Sequence, residues 1–365
     1  MKDDRIEKAL LELLRAGLWE QASDGRVCRT LTDAEWQGVY RSSCQQAVGA
    51  LVCHGLNFLP KGCEPPLEAA LKWGAYTDGV ERRNWRMNEA IAELYAFFGQ
   101  RGLRPVLQKG QGIALNYLQP NLRECGDIDL YFSPEERRKA DRYMQEAGVL
   151  LVQRPDRSSY YHWQGFVVEH HEVFFDLLAP SVQPMLQTWI RKWGFQEQLL
   201  ESKHPASVWI PSVYLNLLLQ NAHVLKHAMG HGIGLRQFCD LARSVAVCRK
   251  EATWNPAFLR GMFQQVGLEK WSRLLFAYLE QVIGLLPGLL YEDLEGMSVD
   301  PLAKIVRRGG NFGQYASGIE QPAQGWKRKL NTVGAFVRNA AFSWNYAPKE
   351  AFYMCKQLIN GQLSR

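Results

Sequence analysis

Residues 105–132 break a pattern that reads as helix up to about residue 102, and this change constrains the fold more than any other stretch. Pro105-Val106-Leu107-Gln108 is an apolar run too short for a helix, and it stops at Lys109-Gly110-Gln111-Gly112. A helical pattern over 113–118 follows, which gives strand, glycine turn, helix. Further on, Asp127-Ile128-Asp129-Leu130 alternates polar and apolar residues at the start of a second strand, expected over 128–132. Ser133, Pro134 and Glu136 then supply a cap, a first-turn proline and the far half of a capping box, so a helix is expected from there to about 147. Beyond Gly148 the pattern predicts extended segments at 149–153, 160–164 and 166–175.

Both flanks are helical in pattern. Over 3–102, Thr32 and Glu35 form a capping-box signal, and Pro60, Gly62, Pro65 and Pro66 break the run. An apolar period including Leu71, Trp73, Trp85, Ile91, Leu94 and Phe98 then occupies 67–98. From 211 onward the helices expected are 214–229, 235–247, 256–266, 271–285 and 326–358, with breaks near Gly309-Gly310 and Pro348. The Trp residues, among them Trp73, Trp85, Trp163, Trp189, Trp193, Trp326 and Trp344, mostly fit core stripes. The fold class is therefore α+β, a small mixed β-sheet core flanked by helical regions. The expected division is 1–102, 103–210 and 211–365, within a chain whose 47% hydrophobic content can bury a full core.

Lys+Arg 43 against Asp+Glu 37 leaves a net charge of +6, with no basic stripe beyond pairs such as Arg137-Arg138 and Arg307-Arg308. That balance suits a phosphate-bearing ligand and argues against a protein held mainly by nucleic-acid backbone. Eight cysteines without Cys-x-x-Cys spacing read as reduced thiols. No run approaches the ~20 apolar residues that span a bilayer. The charged start Met1-Lys2-Asp3-Asp4 leads into an amphipathic pattern, so a cytoplasmic location without a membrane partner is expected.

Asp127 and Asp129 stand at i and i+2 on a strand, so both carboxylates point to one face while Ile128 and Leu130 point to the other. Two carboxylates this close repel. The usual relief is a hard divalent cation held by oxygen ligands. Upstream, the Lys109-Gly110-Gln111-Gly112 turn can present backbone N–H groups to phosphate oxygens, with Lys109 as an added charge, although it lacks the Walker-type spacing of a P-loop.

The run Lys109-Gly110-Gln111-Gly112-Ile113-Ala114-Leu115-Asn116-Tyr117, then Arg123, then Gly126-Asp127-Ile128-Asp129-Leu130, resembles the core of an uncharacterised bacterial nucleotidyltransferase family related to the polymerase-β superfamily. The resemblance is strongest over 104–132 and weaker to about 247. It implies metal-ligating carboxylates at Asp127 and Asp129 and a third from a neighbouring strand, with Mg2+ (or Mn2+) as cofactor. It also implies transfer of a nucleoside monophosphate from a nucleoside triphosphate to the hydroxyl of a small molecule, a protein or an RNA. Lys109, Gly110, Gln111, Gly112 and Arg123 would then bind the nucleotide. Lys109-Gly110 replaces the Gly-Ser turn customary in the wider superfamily.

For the third carboxylate, the family's pattern of an acidic residue and a following His favours Glu169, with catalytic and metal roles, over Glu172 and Asp176. His171 shares its face. His223, His227 and His231 recur at helical spacing and, with Asp240, are expected at the border of the site, while Arg236 and Asp240 have the spacing of an intrahelical ion pair. A zinc hydrolase built on His223 and His227 lacks the His-Glu-x-x-His signature. A catalytically inactive nucleotide-binding or protein-interaction module on the same fold stays open beside the enzyme.

Overall fold

Alternation in Asp127-Ile128-Asp129-Leu130 resolves as the central strand of a seven-stranded sheet in a computed structural model that describes residues 2–154, 156–230, 232–309 and 325–359. Ahead of the sheet come α1 (Lys2–Trp19), α2 (Asp33–Gln45), α3 (Gly49–Gly55) and the long α4 (Leu67–Gly99). The core continues with β1 (Val106–Leu107), α5 (Gln111–Ala114), β2 (Asp127–Tyr131), α6 (Pro134–Glu146), β3 (Val152–Gln153), β4 (Ser158–Trp163) and β5 (Phe166–His171). Next are α7 (Gln183–Trp193), β6 (Phe195–Leu200) and β7 (Ala206–Pro211), and then α8 (Val213–Met229) and α9 (Leu235–Cys248). The remaining helices are α10 (Pro256–Gln265), α11 (Glu269–Tyr278), α12 (Asp300–Gly309), α13 (Gly325–Tyr346) and α14 (Pro348–Ile359). No helix among the described residues is long and apolar enough to cross a membrane.

The strand order is β3-β4-β5-β2-β1-β7-β6. β2 runs parallel to β5 and antiparallel to β1, and β1 runs parallel to β7. The expected mixed sheet with helices at both termini is thus present, and both predicted capping boxes form, at Thr32/Glu35 and Ser133/Glu136. One sheet face buries Ile128, Leu130 and Val168 against Ile91, Leu94 and Phe98 of α4 and Met144 of α6. On the other, Tyr131 and Phe174 join a core built from both flanks, including Leu13 and Leu14 of α1 and Leu218 and Leu225 of α8. α1 and α3 cross so closely that a Cβ on Gly17 would lie 2.0 Å from the Leu51 carbonyl oxygen.

Four expectations need correction. The helix read over 113–118 is the single turn α5, because Gly110 turns the chain with φ 59° and ψ −124° and the turn ends at Leu115. The strand read over 166–175 ends at His171, after which Phe174 and Phe175 leave the sheet to pack in the core. β6 and β7 pair antiparallel where no strand was expected. Trp73 is fully buried, as its stripe suggested, but Leu71, Trp85 and Trp344 are exposed, because only part of their helices' circumference meets a neighbour.

Candidate functional site

Because β2 and β5 run parallel in the register Asp129↔Glu169, parity puts the carboxylates of Asp127, Asp129 and Glu169 on one face. All three line a cavity of about 340 Å³ between this face and helices α8 and α9. His170 and Ile128 point to the opposite face, where the buried His170 ring sits with Nδ1 2.8 Å from Asp141.

The carboxylates differ in environment. Asp129 is buried, with Oδ1 2.8 Å from His171 Nε2 and 3.5 Å from Lys109 Nζ. Burial works against its charge, but the Lys109 ammonium and the His171 hydrogen bond outweigh it and hold the carboxyl well below the ordinary range. Asp127 is exposed at the start of the strand, where its backbone carbonyl accepts from Cys125 Sγ at 3.3 Å, and its carboxylate has no hydrogen-bond or ion-pair partner among the described residues. Its carboxyl is pushed up to about 6, chiefly by the charge of Asp129, then by desolvation. Glu169 accepts from Arg154 at 2.8 Å and lies 3.4 Å from His171 Nε2. Ligand atoms of Asp129, Glu169 and His171 all come within 4.8 Å of one another, so these side chains can hold a cation together. Asp127 lies outside that trio.

Lys109 enters the cavity from the turn after β1, and the charges of Asp129, Asp176, Asp127 and Glu169 overcome its burial and keep its ammonium firmly protonated. Gly110 also lines the cavity. A Cβ there would meet Cys125 Sγ at 3.1 Å and the Asp127 carbonyl oxygen at 3.3 Å, so glycine is required both by φ and by closeness to β2. Gln111 points away, its Nε2 donating to Asn88 Oδ1 of α4 at 2.8 Å. Gly112 packs against the Leu107 carbonyl oxygen and Ile210, within 3.0–3.2 Å of where a Cβ would be. Of the four turn residues, Lys109 and Gly110 border the cavity.

The loop before β2 is bolted on three sides. Arg123 donates from Nε and Nη2 to Asp240 of α9, both at 2.7 Å, and Tyr117 Oη donates to the same carboxylate at 2.6 Å. Glu124 accepts from the Gly49 N–H that opens α3 at 2.7 Å and from Tyr76 of α4 at 2.8 Å. Arg83 of α4 donates to the Gly126 carbonyl at 3.1 Å, and Arg236 of α9 to that of Glu124 at 2.9 Å. Asp240 thus takes Arg123, 117 residues away in the chain, in place of a pairing readable from helical spacing. Glu124, Arg83 and Arg154 carry no sequence pattern, and only their partners reveal them.

Asp176 lies beyond the end of β5, where it accepts from His223 Nδ1 at 2.9 Å and from Lys226 at 2.7 Å. His223 and His227 line the cavity with ring centroids 4.5 Å apart. Burial lowers the pKa of both, aided by Lys109 for His223 and by His223 for His227. Neither belongs to the metal-capable trio, and His231 lies outside the described residues. Glu172, of opposite parity to Glu169, pairs with Arg137 at 2.9 Å and Arg157 at 3.4 Å.

A family model described as "Uncharacterised nucleotidyltransferase" matches residues 32–284, reaching well beyond the motif on both sides. No curated protein and no solved structure matches the chain.

Proposed function

The chain belongs to the uncharacterised nucleotidyltransferase family, and from that premise we propose that it transfers a nucleoside monophosphate from a nucleoside triphosphate to an acceptor hydroxyl. The observation that carries this reading is the in-register Asp129–Glu169 pair, with Asp127 on the same face and Lys109 beside it in one cavity. In the reaction the acceptor oxygen bonds to the α-phosphorus, the bond to the β-phosphate breaks, and pyrophosphate leaves.

The residues fit a divalent cation. Asp127 and Asp129 repel each other strongly enough to raise one carboxyl, and Asp129 and Glu169 offer oxygen atoms within reach of a common ion. Bound there, such an ion would neutralise triphosphate charge and lower the pKa of the attacking hydroxyl. Lys109 supplies a fixed positive charge for phosphate oxygens, and Gly110 lets the turn approach β2. Glu169 is the carboxylate we assign to receive the hydroxyl proton, with Arg154 holding its Oε1. The Arg123–Asp240 pair holds the loop that leads into Asp127 and so positions the site.

A second reading, an inactive nucleotide-binding or protein-interaction module, is favoured by one feature: Lys109 already sets a cation against Asp129. One assay separates the two. The pure protein is incubated with each labelled nucleoside triphosphate, Mg2+ or Mn2+ and a cell extract, and pyrophosphate and labelled acceptor are measured. Pyrophosphate with a labelled product supports transfer. Triphosphate binding without pyrophosphate from any base supports the inactive module.

A further inference from the structure

We propose that the carboxylate site is a mixed oxygen–nitrogen metal site in which His171 Nε2 is a ligand beside Asp129 and Glu169, built for a first-row transition ion in preference to Mg2+. The ring is placed by the sheet. Glu169 and His171 are i and i+2 on β5, and Asp129 is the register partner of Glu169 on β2, so the imidazole projects from the carboxylate face. Its Nε2 lies between the two acids, 2.8 Å from Asp129 Oδ1 and 3.4 Å from Glu169 Oε2.

Donor atoms remain around this nitrogen. Asp129 Oδ2 and the whole Asp127 carboxylate have no hydrogen-bond or ion-pair partner among the described residues, while Arg154 takes Oε1 of Glu169 and leaves Oε2 on the His171 side. Magnesium takes oxygen ligands and keeps its waters, whereas imidazole suits the softer first-row ions. An imidazole in the trio therefore weights the site toward those ions. The inference rests on reading this pocket as a metal site, and on no transfer activity.

The test uses full-length, metal-free protein without nucleotide, titrated with Mn2+ or Mg2+, and electron spin-echo spectroscopy of the Mn2+ complex. The expected result is nitrogen modulation in the wild type that disappears in His171→Gln. In that variant the Mn2+ dissociation constant should rise about tenfold or more, while that for Mg2+ changes by less than about threefold. His171→Asp, which exchanges nitrogen for oxygen, should also lose the modulation and narrow the gap between the ions. If His171→Gln fails to fold, the wild-type spectrum and His171→Asp decide. Absence of Mn2+ binding, a bound ion without nitrogen modulation, or modulation that survives His171→Gln and vanishes in His223→Gln would each overturn the assignment. Nitrogen-coupled Mn2+ in a protein that releases no pyrophosphate would remove the transfer reading and leave this one standing.

Discussion

Asp129 and Glu169 are register partners on adjacent parallel strands, although 40 residues separate them in the chain. Their pairing gives a direct contrast with Glu172, which belongs to an ion cluster with Arg137 and Arg157. Glu169→Gln should keep the fold and most nucleotide binding while transfer falls by about 10²–10⁴, the usual contribution of a positioned base. Glu172→Gln should leave the transfer rate per folded molecule nearly unchanged. It should not be silent in stability, because the Glu172 side chain is only 8% exposed and leaves Arg137 short of a partner. A loss of about 1–3 kcal/mol is expected in urea unfolding. An essential Glu172 with a dispensable Glu169 would place the site on the other sheet face.

The Asp127 carboxyl should titrate at about 6 in metal-free protein, and Asp129→Asn should bring it down, since the Asp129 charge is the largest cause of the rise. Carbon-13 NMR of labelled aspartate carboxyls measures this directly. An unchanged Asp127 titration in Asp129→Asn would mean that the two carboxylates do not face each other.

Asp176 supplies a stability test with a defined sign. Although burial opposes its ionisation, Lys226 and His223 hold its carboxyl below the ordinary 3.8. A depressed folded-state pKa adds stability that is complete above 3.8 and lost as pH falls through the folded value. Asp176→Asn should therefore cost about 1–2 kcal/mol at pH 7, and the gap from wild type should narrow progressively as pH falls below 3.8. Urea unfolding across that pH range checks it. A gap that does not narrow would assign the loss to packing.

The part of the fold that local chemistry dictates was legible. Alternation set the faces of Asp127, Ile128, Asp129 and Leu130, and side-chain caps set the starts of α2 and α6. What escaped depends on distant partners. β7 reads Ala-Ser-Val-Trp-Ile-Pro and pairs with β1 across about 100 residues, and β6 carries Gln196, Glu197 and Gln198, with no apolar alternation to mark a strand. At the site, Asp127, Asp129, Glu169, Lys109 and His223 border one cavity, whereas Gln111 turns to α4 because Asn88 meets its amide there. Asp240 paired with Arg123 because folding brought a buried guanidinium to it, which helix spacing does not encode.

That buried pair carries the last prediction. Arg123 and Asp240 are 4% exposed each and joined by two hydrogen bonds of 2.7 Å, so removing one partner strands a charge out of water. Asp240→Asn should destabilise the fold by about 3–5 kcal/mol, and Arg123→Met by a similar amount. Arg123→Met with Asp240→Leu should cost much less than the sum, since replacing a buried ion pair by apolar groups of similar size is often nearly neutral. Tyr117 loses its acceptor in the double variant, which leaves a residual cost of about 1–2 kcal/mol. The loop between Arg123 and Gly126 feeds β2, so the double variant should fold and yet bind metal more weakly than wild type, through a displaced Asp127. Urea unfolding gives the coupling energy, and Mn2+ titration reads the displacement. Additive losses would show that the pair does not act as a unit, and unchanged Mn2+ affinity in a folded double variant would separate the loop's anchorage from the site.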